Sequence, residues 1–229
     1  MMGVPAGGQL PAHVHPAMSD APLWLFDLDN TLHNTSAHIF PRINVAMTEY
    51  MVRHLQISQH EADQLRRQYW LRYGATMLGL MHHHNTDPQH FLHHTHQFPD
   101  LPELVVPEPA LRGILRRLPG RKTVVSNGPH DYVCAVLREM GLLRSFEQVF
   151  GVEQLALQPK PDPRAFHAVL RRLRVPATRC TLVEDSLENL RSAKALGMRT
   201  VWISRSARKP AYVDVQLRSV LHIARLQRP

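Results

Sequence analysis

Cysteine is nearly absent from this sequence. Its 229 residues include two cysteines, Cys134 and Cys180, which are too few for the disulfide framework that holds small secreted proteins together. Residues 1–20 are rich in Gly, Pro and Ala, and they lack the basic stretch and the apolar stretch of an export signal. We therefore expect a protein of the reducing cytoplasm.

Long hydrophobic runs are also lacking. A helix that spans a bilayer needs about 20 consecutive apolar residues, whereas the apolar runs here, such as residues 123–125, have the length of a strand. The hydrophobic fraction of 44% is nevertheless typical of globular proteins. The sequence thus predicts a globular protein that does not associate with a membrane, with one domain or one domain plus a smaller insert.

Lysine is scarce too, although the chain is basic. Lys and Arg together number 27 against 19 Asp and Glu, which gives a net charge of +8, but four of the 27 are lysines. The arginines are spread along several predicted helices and form no contiguous basic segment. This pattern favours a solvated basic surface that attracts small anions, and nucleic acid is not the expected partner. Polyanion binding remains the alternative.

The residues that are present indicate an α/β fold. Leu23–Phe26 is a continuous apolar run, residues 36–104 are helical in character, and helix and strand patterns alternate from there on. Further strands are predicted at 122–126, 149–150, 180–183 and 200–203, helices at 110–118, 131–140, from 163 and at 187–196, and a short strand and helix after 211. Such alternation predicts a parallel sheet that is covered on both faces.

These elements predict a Rossmann-like parallel sheet with a helical cap inserted after the first strand. The expected core comprises residues 21–35 and 105–229, the cap comprises residues 36–104, and residues 1–20 form a flexible leader.

Polar residues follow the predicted strands. They are Asp27 and Asp29 after the first strand, Ser126, Asn127 and Gly128 after the second, Lys160 in a loop, and Glu184 with Asp185 after the fourth. In an open parallel sheet, ligands bind at the carboxyl ends of the strands, so these residues should converge on one crevice. Taken singly, an Asp-x-Asp or a Ser-Asn-Gly segment is ordinary turn chemistry. The ordered set predicts a site that handles phosphate.

Asp27 and Asp29 suit a nucleophile and a neighbouring acid/base. Alternate side chains of extended backbone share a face, so both carboxyls can point into one site. The Asp27 carboxylate would attack phosphorus and form an aspartyl-phosphate. An Asp with an ordinary pKa is only about 0.1% protonated at pH 7, so the pKa of Asp29 must be raised if it is to protonate a leaving alkoxide. Nearby carboxylates supply such a shift.

Clustered carboxylates alone would repel a phosphate dianion, and a divalent cation reverses that repulsion. Oxygen ligands favour Mg²⁺ over Zn²⁺. Mg²⁺ is therefore the expected cofactor.

The ordered set resembles the haloacid dehalogenase-like hydrolase superfamily, subfamily IA. The resemblance covers residues 23–204, and its four motifs match residues 27–31 (Asp-Leu-Asp-Asn-Thr), 126–128 (Ser-Asn-Gly), 160–162 (Lys-Pro-Asp) and 184–186 (Glu-Asp-Ser). More narrowly, residues 24–32, 72–74 and 125–128 look like those of pyrimidine 5′-nucleotidases. Asn30 departs from the Gly of many superfamily members and agrees with the nucleotidase group.

The resemblance assigns roles to single residues. It implies that Mg²⁺ is held by the Asp27 carboxylate, the Asp29 backbone carbonyl and Asp185, with Glu184 acting through water. Lys160 would supply a fixed positive charge, and Ser126, with the backbone amides at Asn127 and Gly128, would donate hydrogen bonds to the phosphoryl oxygens.

The reaction predicted from this pattern is hydrolysis of a phosphate monoester. A dehalogenase needs no proton donor for an alkoxide, so Asp29 favours phosphate esters. Phosphonate cleavage through a Schiff base needs a cap lysine, and residues 36–121 contain none. A pyrimidine 5′-nucleotidase that acts on nucleoside monophosphates is the leading prediction. A phosphatase or phosphomutase for small sugar phosphates, similar to a phosphoglycolate phosphatase or a β-phosphoglucomutase, is the alternative.

Substrate selection should come from the cap. Arg72 and Tyr73 could offer a guanidinium and a ring to a base or ribose, although Tyr73 could equally pack on the cap interior. Among the histidines of the cap, His82 or His96 is the one expected to face the substrate. The remaining cap histidines are expected on a solvated or partly packed face, because consecutive residues spread around a helix. Whether the protein is a monomer or a homodimer is left open.

Overall fold

The computed structural model describes residues 22–106 and 108–227, so the predicted leader lies outside the described residues. One sheet contains the six strands β1 (Leu23–Phe26), β2 (Arg121–Val125), β3 (Gln148–Phe150), β4 (Cys180–Glu184), β5 (Arg199–Ile203) and β6 (Val215–Leu217). The strand order is β3-β2-β1-β4-β5-β6, and every neighbouring pair is parallel. The predicted α/β fold is confirmed.

Five α-helices lie between β1 and residue 106 in the described part of the chain. They are α1 (Ile39–Leu55), α2 (Gln59–Tyr73), α3 (Thr76–His84), α4 (Pro88–Thr95) and α5 (Leu101–Leu104). Four more follow, α6 (Pro109–Arg117), α7 (His130–Glu139), α8 (Pro163–Leu173) and α9 (Leu187–Ala195). The predicted strand after residue 211 is β6, and the chain then continues as 3₁₀ turns over Val220–Gln227.

β1 is at the centre of the sheet and is buried on both faces. Trp24 and Phe26 pack into one hydrophobic cluster with residues of α6 and α7. Leu23 and Leu25 point the other way, into a cluster with residues of α8 and α9. This explains why the strand reads as an unbroken apolar run, since a central parallel strand has no solvent-facing side.

The helices inserted after β1 have a hydrophobic cluster of their own. Met51, Tyr69, Leu80 and Phe91 are buried in it, and Val152 joins it from the loop after β3. α1 belongs to both regions, because its first turns contribute to the cluster on the sheet and its last turns to the inserted cluster. The predicted boundaries of cap and core stay a prediction.

Capping side chains mark the first residues of α8 and α9. The Asp162 carboxylate accepts a hydrogen bond from the Arg164 backbone N–H at 2.8 Å, with Pro163 at the first helical position, as the sequence predicts for α8. The Ser186 hydroxyl caps α9 by accepting from the Asn189 N–H. Among the described residues, none of the helices combines the length and the apolar character that crossing a membrane requires.

Candidate active site

Four predicted site residues meet at the carboxyl edge of the sheet. β1 lies between β2 and β4, at the point where the strand order reverses, which is where open α/β sheets bind ligands. Asp27 directly follows β1, Ser126 follows β2, and Glu184 ends β4. The Asp27 backbone N–H donates to the carbonyl of Val183 at 2.9 Å, so the ladder fixes the first carboxylate beside the end of β4.

Lys160 is a buried cation between two carboxylates. Its Nζ lies 2.8 Å from Asp27 Oδ1 and 2.8 Å from Glu184 Oε2, and it donates to the carbonyl of Val125 at 2.7 Å. Lys160 is 2% exposed and Glu184 1%. Burial lowers the pKa of Lys160, but the attraction of Asp27 and Glu184 outweighs it and holds the pKa above its usual value. The lysine is therefore a permanent charge.

Asn127 holds the loop that carries this lysine. Its amide accepts from the Lys160 backbone N–H at 2.8 Å and donates to the Lys160 carbonyl at 2.9 Å. Both polar ends of the side chain are thus engaged by one residue. The sequence predicts Asn127 and Gly128 as phosphate-binding residues, which stays a prediction for their backbone amides. The structure gives the Asn127 side chain the task of positioning Lys160.

Asp29 is surrounded by hydroxyl groups. Its Oδ1 accepts from Thr35 Oγ1 at 2.8 Å and from Tyr132 OH at 2.9 Å, while Oδ2 accepts from Ser126 Oγ at 3.3 Å. Burial raises the pKa of Asp29, and the hydrogen bonds from Thr35 and Tyr132 pull it in the opposite direction. The net direction is upward, as an acid that works near neutral pH requires.

The turn between the two aspartates and α1 needs a residue in the left-handed region. Asn30 has φ +63°, a conformation that Asn tolerates better than most residues with a side chain. Its Oδ1 also accepts from the Ser36 N–H at 3.0 Å. Asn can therefore replace Gly here and add a bond that Gly cannot make.

Three acidic groups could hold a cation. Asp27, Glu184 and Asp185 offer carboxylate oxygens that all lie within 4.8 Å of one another, and they are the one such group among residues 22–106 and 108–227. Asp27 Oδ2 is buried without a hydrogen-bond partner. Burial, followed by a hydrogen bond with Glu184 and then repulsion from its charge, raises the pKa of Asp185 to about 7. A buried oxygen without a partner and two carboxyl groups that repel each other fit a hard divalent cation.

Glu184 differs from the other two carboxylates. Its Oε1 accepts from the backbone N–H groups of Asp185 and Ser186, and its Oε2 accepts from Lys160 and Asn189. All four lone-pair directions are therefore occupied, so Glu184 suits a role around the cation better than direct ligation.

Comparison with known proteins decides the family. The family model described as haloacid dehalogenase-like hydrolase matches residues 24–203. The chain belongs to this family. A haloacid dehalogenase-like phosphatase from Thermococcus onnurineus superposes with a TM-score of 0.63 at 24% identity, over 90% of this chain and 97% of that one. The L-2-haloacid dehalogenase of Xanthobacter autotrophicus gives a TM-score of 0.58 at 18% identity over 90% and 97%.

Curated relatives of this hydrolase are named phosphoglycolate phosphatase. The relative from Pseudomonas fluorescens strain Pf0-1 is 28% identical over 195 residues, which cover 80% of this chain and 69% of the relative. The relative from Pseudomonas putida is 27% identical over 87% and 78%. Other matches are partial. The chain spans 56% of a relative from Pseudomonas savastanoi at 33% identity.

In this haloacid dehalogenase-like hydrolase, no contact among the described residues joins the predicted substrate residues to the acidic cluster. The Arg72 guanidinium lies over the Tyr73 ring at 5.4 Å, and Tyr73 stacks with His82 at 5.9 Å between ring centroids. The described partners of these three side chains are on α2 and α3. Their contact with a substrate stays a prediction.

His96, in the segment inserted after β1, contacts a residue that binds Asp29. Its ring contacts Tyr132 at 5.6 Å between centroids, and Tyr132 donates to Asp29. Burial lowers the pKa of His96 to about 4, so the ring is neutral at pH 7. Of the two candidate histidines, His96 is the one that contacts Tyr132, the residue that donates to Asp29.

Sequence reasoning missed Tyr132, Thr35 and His33. Tyr132 lies in the first turn of α7, two residues beyond the Ser126-Asn127-Gly128-Pro129-His130 stretch, and no spacing rule joins it to Asp29. Thr35 lies six residues after Asp29 and contacts it through the turn at Asn30. A signal existed for Thr35 alone, since a hydroxyl just after an Asp-x-Asp turn is within reach of the second carboxylate.

Proposed function

We propose that this chain is a divalent-metal-dependent phosphomonoesterase that forms an aspartyl-phosphate on Asp27 and acts on small phosphorylated metabolites. The observation that carries the proposal is that two neighbouring carboxyl groups have different surroundings. Asp27 is fixed by Lys160 and keeps one buried oxygen without a partner, and Asp29, two residues on, is held by three hydroxyls.

In the first half-reaction the Asp27 carboxylate attacks phosphorus. A bond forms between a carboxylate oxygen and phosphorus while the bond from phosphorus to the ester oxygen breaks. The electron pair goes to that ester oxygen, and Asp29 gives it a proton. Lys160 faces the nucleophile throughout and stabilises the negative charge that spreads over the phosphoryl oxygens.

In the second half-reaction water replaces the alcohol. Asp29, now ionised, accepts a proton from the water as its oxygen attacks phosphorus, and the bond to Asp27 breaks. Inorganic phosphate leaves and both aspartates return to their starting states. One residue thus serves as acid and then as base, which requires a pKa above the ordinary value of Asp, the direction found for Asp29.

Asp27, Asp185 and the backbone carbonyl of Asp29 would hold the cation, with Glu184 outside the direct ligands. When bound, a divalent cation neutralises the carboxylates that would otherwise repel a phosphate dianion and polarises the phosphoryl group.

The substrate class proposed here is a compact phosphate ester such as phosphoglycolate. The curated relatives carry that name, and the described contacts of Arg72, Tyr73 and His82 are with one another or with neighbouring cap residues. The sequence-based preference for pyrimidine nucleotides rests on these cap residues and stays a prediction. The relatives favour the alternative that the sequence left open.

An assay of phosphate and chloride release distinguishes the candidate substrates and reactions. Phosphate release from phosphoglycolate, uridine monophosphate and p-nitrophenyl phosphate is measured with Mg²⁺ and with EDTA, beside chloride release from 2-chloropropionate. We expect Mg²⁺-dependent phosphate release, fastest from phosphoglycolate, and no chloride. Faster turnover of uridine monophosphate would overturn the substrate class, and chloride release would overturn the reaction.

The nucleophile is tested with a matched pair of variants. Asp27→Asn should abolish phosphate release, whereas Asp131→Asn, which removes an exposed carboxylate from α7, should leave it unchanged. Both should fold. Activity retained in Asp27→Asn would refute the aspartyl-phosphate.

A further inference from the structure

His33 connects the two chain segments that lead into and out of the inserted helices. It lies on the first segment, six residues after Asp27, while Val106 lies on the second segment, two residues after α5. The Val106 backbone N–H donates to His33 Nε2 at 3.1 Å, and His33 Nδ1 lies 3.2 Å from Thr35 Oγ1. The imidazole is 3% exposed, so water does not compete for either nitrogen.

These contacts fix the position of the ring proton. Nε2 faces a backbone N–H, which can only donate, so Nε2 must be the unprotonated nitrogen. A neutral imidazole then carries its hydrogen on Nδ1, and that hydrogen points at Thr35 Oγ1. Because the Thr35 hydroxyl accepts from His33, its own hydrogen is free for Asp29 Oδ1, 2.8 Å away. The hydrogen bonds therefore run in one direction, from Val106 through His33 and Thr35 to Asp29.

The two carboxylate oxygens of Asp29 differ in their hydrogen-bond partners. Oδ1 accepts from Thr35 and from Tyr132 OH, at 2.8 and 2.9 Å. Oδ2 has one longer partner, Ser126 Oγ at 3.3 Å. Two short bonds from fixed donors hold Oδ1, which leaves Oδ2 as the oxygen that can exchange its partner for a reacting group.

We propose that His33 and Thr35 are positioning residues for Asp29, and that they turn its Oδ2 toward the leaving group of the substrate. This inference rests on the proposed role of Asp29 as acid and base. It adds that the orientation of the acid is set by a hydrogen-bonded chain that begins on the backbone of Val106, at the exit of the inserted helices. The separation of those helices from the sheet at this point would therefore disturb the acid.

The test removes one hydroxyl at a time. Thr35→Val deletes the bond to Asp29 and keeps the side-chain shape, and Thr35→Ser restores the hydroxyl. Thr48→Val is the matched control, because Thr48 is also buried and donates to a carboxylate, Asp63, at 2.7 Å within the inserted helices. Each protein is assayed with p-nitrophenyl phosphate, whose leaving group needs no proton, and with an alkyl phosphate, whose leaving group does.

The two esters are compared by kcat/KM, which reports the steps up to release of the alcohol, because the later attack of water is common to both. Thr35→Val should lower kcat/KM for the alkyl phosphate by about 10- to 100-fold and change kcat/KM for p-nitrophenyl phosphate by less than about threefold. Thr35→Ser should recover most of the loss, and Thr48→Val should resemble wild type. Equal loss on both substrates, or no loss on either, would overturn the positioning role. A wild-type protein that hydrolyses neither ester would instead refute the proposed function.

A second measurement does not depend on activity. The ¹⁵N chemical shifts of the His33 ring at pH 7 should show a protonated Nδ1 and an unprotonated Nε2, and Thr35→Val should leave this tautomer in place because Val106 still donates. The opposite tautomer in the wild-type protein would contradict the proposed direction of the hydrogen bonds from Val106 to Asp29.

Discussion

Lys160 satisfies two buried carboxylates at once, and its removal should therefore be costly. Lys160→Met leaves Asp27 and Glu184 adjacent, buried and without a countercharge. Breaking a buried pair in this way destabilises proteins by about 3 to 5 kcal/mol. We expect a loss of that size in the free energy of unfolding, measured by urea denaturation at pH 7.

Two further variants show whether charge is the cause. Adding Asp27→Asn to Lys160→Met removes one of the two repelling carboxylates and should recover a substantial part of the loss. Lys194→Met breaks an exposed pair with Asp214 and should cost less than about 1 kcal/mol. A double variant no more stable than Lys160→Met would mean that lost packing, and not uncompensated charge, accounts for the effect.

His33 should make stability depend on pH. Burial, with a smaller contribution from His38, lowers its pKa to about 4. Between pH 6.5 and 4 the unfolded chain binds a proton at this residue and the folded protein does not, so stability falls on acidification. At pH 4.5 the loss from His33 alone is about 2.5 kcal/mol relative to pH 7 or above.

The drop in unfolding free energy between pH 7 and pH 4.5 should therefore be smaller in His33→Gln than in wild type by about 2 kcal/mol. His167→Gln, which removes an exposed histidine of α8, should show the wild-type drop. An unchanged drop in His33→Gln would show that the ring is protonated in the folded state.

The sequence predicts the site residues that follow strands. It does not predict those whose position depends on the rotation of a helix about its axis. The ends of parallel strands meet at one edge, so the order Asp27, Ser126, Lys160 and Glu184 predicts a common site. Tyr132 reaches Asp29 from α7, and whether a residue in a first turn points at the sheet depends on where the helix begins. The prediction of that start differs from the structure by one residue, Asp131 against His130.

α2 and α3 pack more closely than ordinary side chains allow. A Cβ at Gly79 of α3 would lie 2.2 Å from Cγ of Tyr69 on α2. Gly79→Ala must therefore push the tyrosine aside or separate the helices, and overpacking of this kind costs about 1 to 3 kcal/mol. We expect that loss in unfolding free energy, together with a change in the near-ultraviolet circular dichroism of the tyrosines.

Gly113 in α6, unlike Gly79, has room for a side chain. A Cβ there would meet only Nη1 of Arg117, at 3.7 Å, and this atom is the end of a flexible side chain. Gly113→Ala should stabilise the protein by about 0.5 to 1 kcal/mol, because Ala is the better helix former and restricts the unfolded chain. A Gly79→Ala protein that is as stable as wild type, or more stable, would contradict the packing described for α2 and α3.

The sequence predicts best the helices and strands whose ends are marked by buried residues or by a capping residue. β1 agrees at both ends, and α8 begins at Pro163 behind its Asp162 cap, because burial and capping act locally. The last helix does not agree, since Val220–Gln227 forms 3₁₀ turns. An apolar pattern of that length is compatible with either helix, and packing against α6 decides between them.

The fold also gathers basic residues that are distant in sequence. Arg112, Arg116, Lys122, Arg138 and Arg144 line one cavity of about 650 Å³, next to the amino ends of the strands. Spacing along the chain predicts a scattered distribution, because these residues come from α6, β2, α7 and the loop beyond it. Lys122 lies near the start of β2, whereas Ser126, which contacts Asp29, directly follows its last residue, so this basic cavity and the buried carboxylates lie toward opposite ends of that strand.

The carboxyl edge of the sheet holds Asp27, Glu184 and Asp185 close together beside Lys160, and a divalent cation that offsets their charge should therefore stabilise the whole molecule. A ligand that binds the folded state alone contributes about 2.7 kcal/mol at 100 times its Kd. For a chain of this size, such a gain should raise Tm by about 5 to 10 °C. Asp185→Asn removes one candidate ligand and should lose most of this increase, whereas Glu188→Gln, an exposed carboxylate three residues further on, should retain it. Thermal unfolding with and without Mg²⁺ measures all three proteins, and an equal increase in Asp185→Asn would place the cation elsewhere.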